Sequence, residues 1–237
     1  MKWLDLTLAG APANLACDES LLEECEGNPQ AEVLRFWEPR EYFVVLGYAN
    51  RAEAEVNMAA CQKANLEVYR RCSGGGTVLQ GPGCLNYSLA LNLAKHPALE
   101  SIPAANRHIM TRHCQALAGV LGPAVRVEGV TDLSLNGLKF SGNAQRRTRE
   151  AMLFHGTFLL SFEIPLMEKF LPMPSRQPDY RAGRAHGQFV TNLAVPAERI
   201  KQALREEWGA TEFCRTPPVI PPRLLHKYAG QEWNGKF

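Results

Sequence analysis

Little in this sequence points to a membrane, a secretory route or an extended nucleic-acid surface. No apolar run approaches the roughly 18 residues that a bilayer span requires. The opening Met1-Lys2-Trp3-Leu4-Asp5 has an acid at position 5 and no long apolar stretch behind it, which excludes a signal-peptide reading. Net charge is only +2, from 26 Lys and Arg against 24 Asp and Glu, without the basic excess of a nucleic-acid binder. The seven cysteines (Cys17, Cys25, Cys61, Cys72, Cys84, Cys114 and Cys214) form no Cys-x-x-Cys pair, and repeats and low-complexity tracts are absent. An odd number of cysteines without metal spacing fits reduced thiols in a reducing compartment, so a cytoplasmic location is expected.

What is present is the composition of an ordinary globular protein. The 237 residues are 46% hydrophobic and 21% charged, enough for a core of their own. Residues 13–26 read as an amphipathic helix stopped by Gly27 and Pro29. Ala31–Trp37 and Tyr42–Tyr48 read as strands, 53–65 as a helix, and 66–71, 77–79 and 85–93 as strands. A helix is expected over 107–121, then strands over 124–128, 133–135, 138–141 and 152–160. Beyond Pro165 the pattern predicts a helical turn at 167–171, a Pro/Arg/Gly-rich loop over 172–187 and a helix over 197–208. Residues 216–222 hold four prolines and are excluded from regular structure. No composition break marks a linker, which gives one mixed α+β domain over 1–237 with a sheet of six or more strands.

Residues 69–80 read Tyr-Arg-Arg-Cys-Ser-Gly-Gly-Gly-Thr-Val-Leu-Gln. A strand delivers Arg70 and Arg71 to three successive glycines, whose backbone N–H groups can approach an anion closely. Arg71 would add a planar, permanently charged donor fork. The same residues also suit a flexible hairpin turn, and they match neither of the common phosphate loops.

Residues 131–145 carry a second signal. Asn136-Gly137 between alternating strands predicts a two-residue type I′ hairpin. That turn pairs Leu135 with Leu138, Ser134 with Lys139 and Leu133 with Phe140, so Asp132, Ser134, Lys139 and Ser141 share a polar face. Lys139 is the one cation there; periodicity alone is equally that of a solvated lysine. Gly156, in the strand carrying His155, suggests a close approach by backbone or ligand, and a lone His in such a strand is commonly a hydrogen-bonded core residue.

Together these segments resemble the lipoate–protein ligase family, within the biotin/lipoyl ligase fold. Arg70-Arg71-x-Ser-Gly-Gly-Gly-Thr-Val is similar to that family's phosphate-binding stretch, and Leu85-Asn86-Tyr87-Ser88 to the strand after it. Lys139-Phe140-Ser141-Gly142-Asn143-Ala144-Gln145 resembles its lysine motif, and 154–160 the following strand. Val190-Thr191-Asn192-Leu193, Lys227-Tyr228 and Glu232-Trp233-Asn234 match later segments. The ordered matches run from about residue 14 to 234.

The resemblance implies a mixed, largely antiparallel sheet flanked by helices, of the class II synthetase-like type. It implies an enzyme that activates lipoate or octanoate with ATP and Mg2+ to an acyl-adenylate. The acyl group then passes to one lysine of a lipoyl carrier domain: a 2-oxoacid dehydrogenase E2, a glycine-cleavage H-like protein or a sulfur-oxidation lipoyl carrier. Carried across, Arg71, Ser73, Gly74, Gly75, Gly76, Thr77, Val78 and Leu79 would hold the nucleotide. Lys139 would bridge acyl carbonyl and α-phosphate, stabilising charge on both. Leu46, Gly75, Gly142, Ala144, His155 and Gly156 would line the acyl pocket, with Val44 and Leu79 beside them. Thr131-Asp132 stands where many family members have Asn-Asp, which leaves Asp132 a metal contact or an acceptor-lysine contact; no other metal ligand is expected. Larger members continue past the position of Trp233-Asn234 into an accessory domain. This sequence is read as the catalytic domain alone, with that function dispensable, on a separate polypeptide, or replaced because the reaction is a different one.

An octanoyltransferase or amidotransferase of the same fold, working through a cysteine thioester without ATP, is the alternative. It needs a thiolate near the lysine, and residues 115–138 and 151–213, where such enzymes carry it, contain no cysteine. Cys72 and Cys84 match neither nucleophile position, so their function is left open. Arg71, the glycines and Lys139 together argue against a non-catalytic relative.

Overall fold

The computed structural model describes residues 1–237. Its strands are β1 (Lys2–Asp5), β2 (Val33–Trp37), β3 (Phe43–Leu46), β4 (Val68–Arg70), β5 (Val78–Gln80), β6 (Cys84–Asn92), β7 (Val125–Glu128), β8 (Asp132–Leu135), β9 (Leu138–Arg147), β10 (Ala151–Leu159) and β11 (Glu212–Phe213). The helices are α1 (Ala11–Gly27), α2 (Ala52–Glu55), α3 (Met58–Lys63), α4 (Ile102–Leu121), α5 (Pro165–Phe170), α6 (His186–Phe189), α7 (Ala197–Glu207), α8 (Pro222–Ala229) and α9 (Gln231–Asn234). An eight-stranded sheet has the order β11-β1-β2-β6-β10-β9-β8-β7, and a separate three-stranded sheet the order β4-β3-β5. Pairing is antiparallel except at β11–β1, β1–β2 and β3–β4, which makes the fold the expected mixed, largely antiparallel α+β type.

The central strands are covered on both faces, which is why β6 is buried along its whole length. Alternation sends Leu85, Tyr87, Leu89 and Leu91 of β6 and Met152, Phe154 and Phe158 of β10 into one core with Ile109, Met110 and Leu117 of α4 and Ile200 and Leu204 of α7. The opposite face meets α1 through Cys17, Leu21 and Leu22, packed on Val33, Ala90 and Leu153. The small sheet has its own core, with Val44, Leu46 and Leu79 against Met167, Phe170 and Phe189. No helix is long and apolar enough to cross a membrane.

Three local expectations are corrected. The single helix over 53–65 is two short helices, because Val56 is extended and buried while Asn57 caps α3 by accepting from the Ala60 amide. Strand β9 runs six residues past the expected Ser141, carried by its ladder with β10 rather than by apolar alternation. The hairpin turn is type I′ as read, with φ of 52° at Asn136 and 77° at Gly137. Its ladder shifts by one residue beyond Ser134–Lys139, so Leu133 faces Ser141 and Phe140 is the extra residue of a bulge. Leu133 and Phe140 still reach the same core.

Candidate active site

Between the α1 face of the large sheet and the small sheet lies a cavity of about 500 Å³, bordered also by the segment 171–190. Leu15, Trp37, Val45 and Leu79 give it an apolar wall; Arg71, Gly75, Gly76, Thr77, Asp132 and Lys139 give it polar ones.

The hairpin delivers Lys139. Its carbonyl accepts from the Thr191 amide at 2.8 Å, tying β9 to the strand-like segment after α6. Its ammonium pairs with Asp132 Oδ1 at 2.7 Å, and Tyr180 donates to the other carboxylate oxygen at 2.8 Å. Burial and the Asp132 carboxylate both push the Tyr180 phenol up, so it stays a donor. Gly142 makes room for the lysine: a β-carbon there would stand 2.9 Å from Nζ. With the side chain 27% exposed, Lys139 keeps contact with the cavity while its charge is balanced by one carboxylate.

The two arginines part company. Arg70 is fully buried, and its guanidinium donates to the carbonyls of Gly47, Tyr48, Asn50, Trp233 and Asn234, clamping α9 against β4. Only Arg71 borders the cavity. Its Nη2 donates to the carbonyls of Gly74 (2.6 Å) and Gly76 (2.8 Å), and burial lowers its pKa to about 10, leaving it charged. With those carbonyls turned onto the guanidinium, the amides of Gly74, Gly75, Gly76 and Thr77 donate to no protein acceptor. Such a run of unpaired N–H groups beside a cation is built to meet an anion.

Gly75, Gly76, Thr77, Val78, Leu79, Asp132, Lys139, Gly142, Ala144, His155 and Gly156 share this one cavity with Arg71. Leu46 and Val44 do not border it; both are fully buried in the small-sheet core, because β3 alternates and sends Val45 to the cavity instead. Ser73 and Gly74 also lie off the wall, Ser73 buried behind the loop and Gly74 exposed in front of it. The close approach expected at Gly156 is made by a side chain and by backbone: a β-carbon would stand 1.8 Å from Asn143 Oδ1, which accepts from Tyr87 Oη, and 2.9 Å from the Gly142 carbonyl oxygen.

Several residues of the cavity carried no sequence signal. Asp18 lies on α1 among apolar neighbours, and Trp37 ends an apolar strand. Arg181, Arg176 and His186 come from a segment legible only as loop, and Tyr180 reaches Asp132 from the same stretch. No cluster of three His, Cys, Asp or Glu side chains is arranged to hold a metal. No cysteine borders the cavity, and burial pushes the thiols of Cys17, Cys25, Cys72 and Cys84 up to about 12.

Residues 11–209 match the lipoyl protein ligase A/B catalytic domain. The chain belongs to that family. A probable lipoate–protein ligase A of Mycoplasma pneumoniae is 30% identical over 93% of the chain and 67% of its own length. An octanoyltransferase LipM of Carboxydothermus hydrogenoformans is 28% identical over all of the chain and 98% of its own. Among solved structures, the bi-partite lipoate protein ligase of Thermoplasma acidophilum, described with its E2 lipoyl domain, superposes over the whole chain and 96% of its own, with a TM-score of 0.80 at 23% identity. A lipoate–protein ligase A bound with ATP gives 0.79 at 23%, each chain covered completely. The fold is that of the lipoyl ligases, and the protein is an enzyme of the lipoyl ligase/transferase family.

Proposed function

We propose that this enzyme is an ATP-dependent lipoate– or octanoate–protein ligase, forming an acyl-adenylate and transferring the acyl group to a lysine of a lipoyl carrier domain. The observation that carries the reading is the cavity's inventory: an ammonium, a guanidinium and free backbone amides meet beside an apolar wall, and no thiol borders it. A thioester route needs a thiolate at that place; the buried thiols lie off the wall with pKa values raised.

In this reading the apolar wall takes the acyl chain and the glycine loop takes the triphosphate. The acyl carboxylate attacks the α-phosphorus, and pyrophosphate leaves. Lys139 can serve both centres because an ammonium has three donors and Asp132 uses one. Fixed between the acyl carbonyl and the α-phosphate, it stabilises charge on each as it develops. Arg71 neutralises phosphate charge and keeps the loop amides facing outward. The carrier lysine then attacks the acyl carbonyl and AMP departs. With no carboxylate cage present, Mg2+ would come bound to the nucleotide, with Asp132, beside Lys139, as the carboxylate that would contact it. The carrier would be an E2 domain, a glycine-cleavage H-like protein or a sulfur-oxidation lipoyl carrier. A separate accessory subunit would act at the adenylation step.

The test is mass spectrometry of purified lipoyl domains after incubation with the enzyme, Mg-ATP and octanoate or lipoate. Acylation that requires ATP supports the ligase. Acylation only from acylated carrier protein, without ATP, would make the enzyme a transferase like its LipM relative.

A further inference from the structure

Behind the glycine loop lies a chain of buried polar groups that the proposed chemistry does not use. Arg71 Nε donates to Ser73 Oγ at 3.0 Å, and Ser73 Oγ lies 2.5 Å from His155 Nε2. His155 Nδ1 stands 3.6 Å from Asp18 Oδ2, and Arg35 donates to Asp18 Oδ1 at 2.6 Å. Arg35 is itself fixed by the Leu6 carbonyl and by Asn14. The chain thus joins β2, α1, β10 and the glycine loop, which no single element could hold together.

Its polarity follows from the donor inventory. A guanidinium can only donate, so Ser73 Oγ accepts from Arg71 and keeps its own hydrogen available for His155 Nε2. The arrangement suits the tautomer with its hydrogen on Nδ1, the nitrogen that faces the Asp18 carboxylate. Burial would raise the Asp18 carboxyl, but Arg35 and His155 hold it below its ordinary value, so it faces the ring as an anion. The connectivity is that of a serine–histidine–acid triad, yet Ser73 is fully buried and off the cavity wall. Its hydroxyl is spent between guanidinium and imidazole and is not presented to an acyl carbonyl.

We infer that His155 is a positioning residue: held by Asp18, it orients Ser73, which orients Arg71, which shapes the glycine loop so that its amides point to the nucleotide. Without the serine acceptor Arg71 Nε keeps only its longer contact, 3.2 Å to the Gly74 carbonyl, and the guanidinium on the Gly74 and Gly76 carbonyls is held less firmly. The inference rests on the proposed nucleotide role of that loop, but its structural half stands apart from it.

Two readouts test it. Hydrogen exchange of the Tyr48 amide, which donates to the Ser73 carbonyl, and of the Arg71 amide, which donates to the Leu46 carbonyl, reads loop shape alone in the protein without ligand, and steady-state kinetics reads its consequence. In His155→Leu and Ser73→Ala, exchange of the Tyr48 and Arg71 amides should accelerate several-fold with α4 unchanged, and the KM for ATP should rise about tenfold; in Ser73→Ala, whose hydroxyl lies off the cavity wall, the KM for octanoate and kcat should move much less. His155→Gln, which keeps an acceptor for Ser73, should restore most of the ATP affinity. Ser73→Ala removes one oxygen and keeps the test decisive should the leucine variant fold poorly. Unchanged exchange in both variants would overturn the positioning role, as would an acyl ester trapped on Ser73. A wild-type enzyme that binds no ATP would instead refute the ligase reading, while the exchange comparison would still decide the positioning.

Discussion

At the scale of single residues, neighbours in sequence have opposite duties here. Arg70 and Arg71 are adjacent on one strand end, and alternation sends one guanidinium into five carbonyls near the C-terminal helices and the other to the cavity. Removing Arg70 would leave those carbonyls without donors in a buried site. Arg70→Ala is therefore expected to lower stability by about 3 kcal/mol in denaturant unfolding, with nucleotide affinity in the surviving folded protein near wild type. Arg71→Ala should do the reverse, weakening ATP binding by about tenfold with a smaller stability loss. Equal effects of the two changes on ATP affinity would contradict the division. The sequence singled out Arg71, next to the glycines, and gave Arg70 no duty, because the carbonyls Arg70 serves include those of α9, some 160 residues away.

At the scale of elements, what was legible is what local rules govern. The type I′ turn at Asn136-Gly137 is written in two residues, and the apolar runs of β2, β3, β6 and β10 are visible without knowing their partners. The bulge at Phe140 was not, since the one-residue shift comes from fitting β8 to β9 and both to the core. Leu46 was misplaced for a related reason: β3 is apolar at every position, so alternation could not say which residue faces the cavity. The pairing of α4 with α7 was equally hidden, and it carries an acid-sensitive contact. His113 of α4 is fully buried and accepts from Trp208 Nε1 at 2.9 Å. Burial, with Arg112 beside it, lowers its pKa to about 3. The folded state therefore binds that proton less readily than the unfolded chain, whose histidine titrates near 6.5. The stability tied to neutral His113 is complete above about pH 6.5 and is lost as pH falls toward 3, on the order of 5 kcal/mol in all. His113→Phe should be less stable at neutral pH but flatter over that window in unfolding experiments at stepped pH. An identical slope in both proteins would remove His113 as the cause.

At the scale of the molecule, the large sheet is a platform whose two faces do different work. One is packed by α4 and α7 into a continuous core; the other keeps a polar set under α1 and the small sheet, where the cavity lies. Family membership follows from the chain as a whole, while the chemistry depends on how Lys139 and the glycine loop converge on one cavity from segments about 65 residues apart. The measurement that bears most directly on this account is octanoate-dependent pyrophosphate release from ATP by wild-type enzyme and by Lys139→Ala, with circular dichroism confirming an intact fold. The account predicts a loss of at least about 100-fold in the variant; release at the wild-type rate would contradict it.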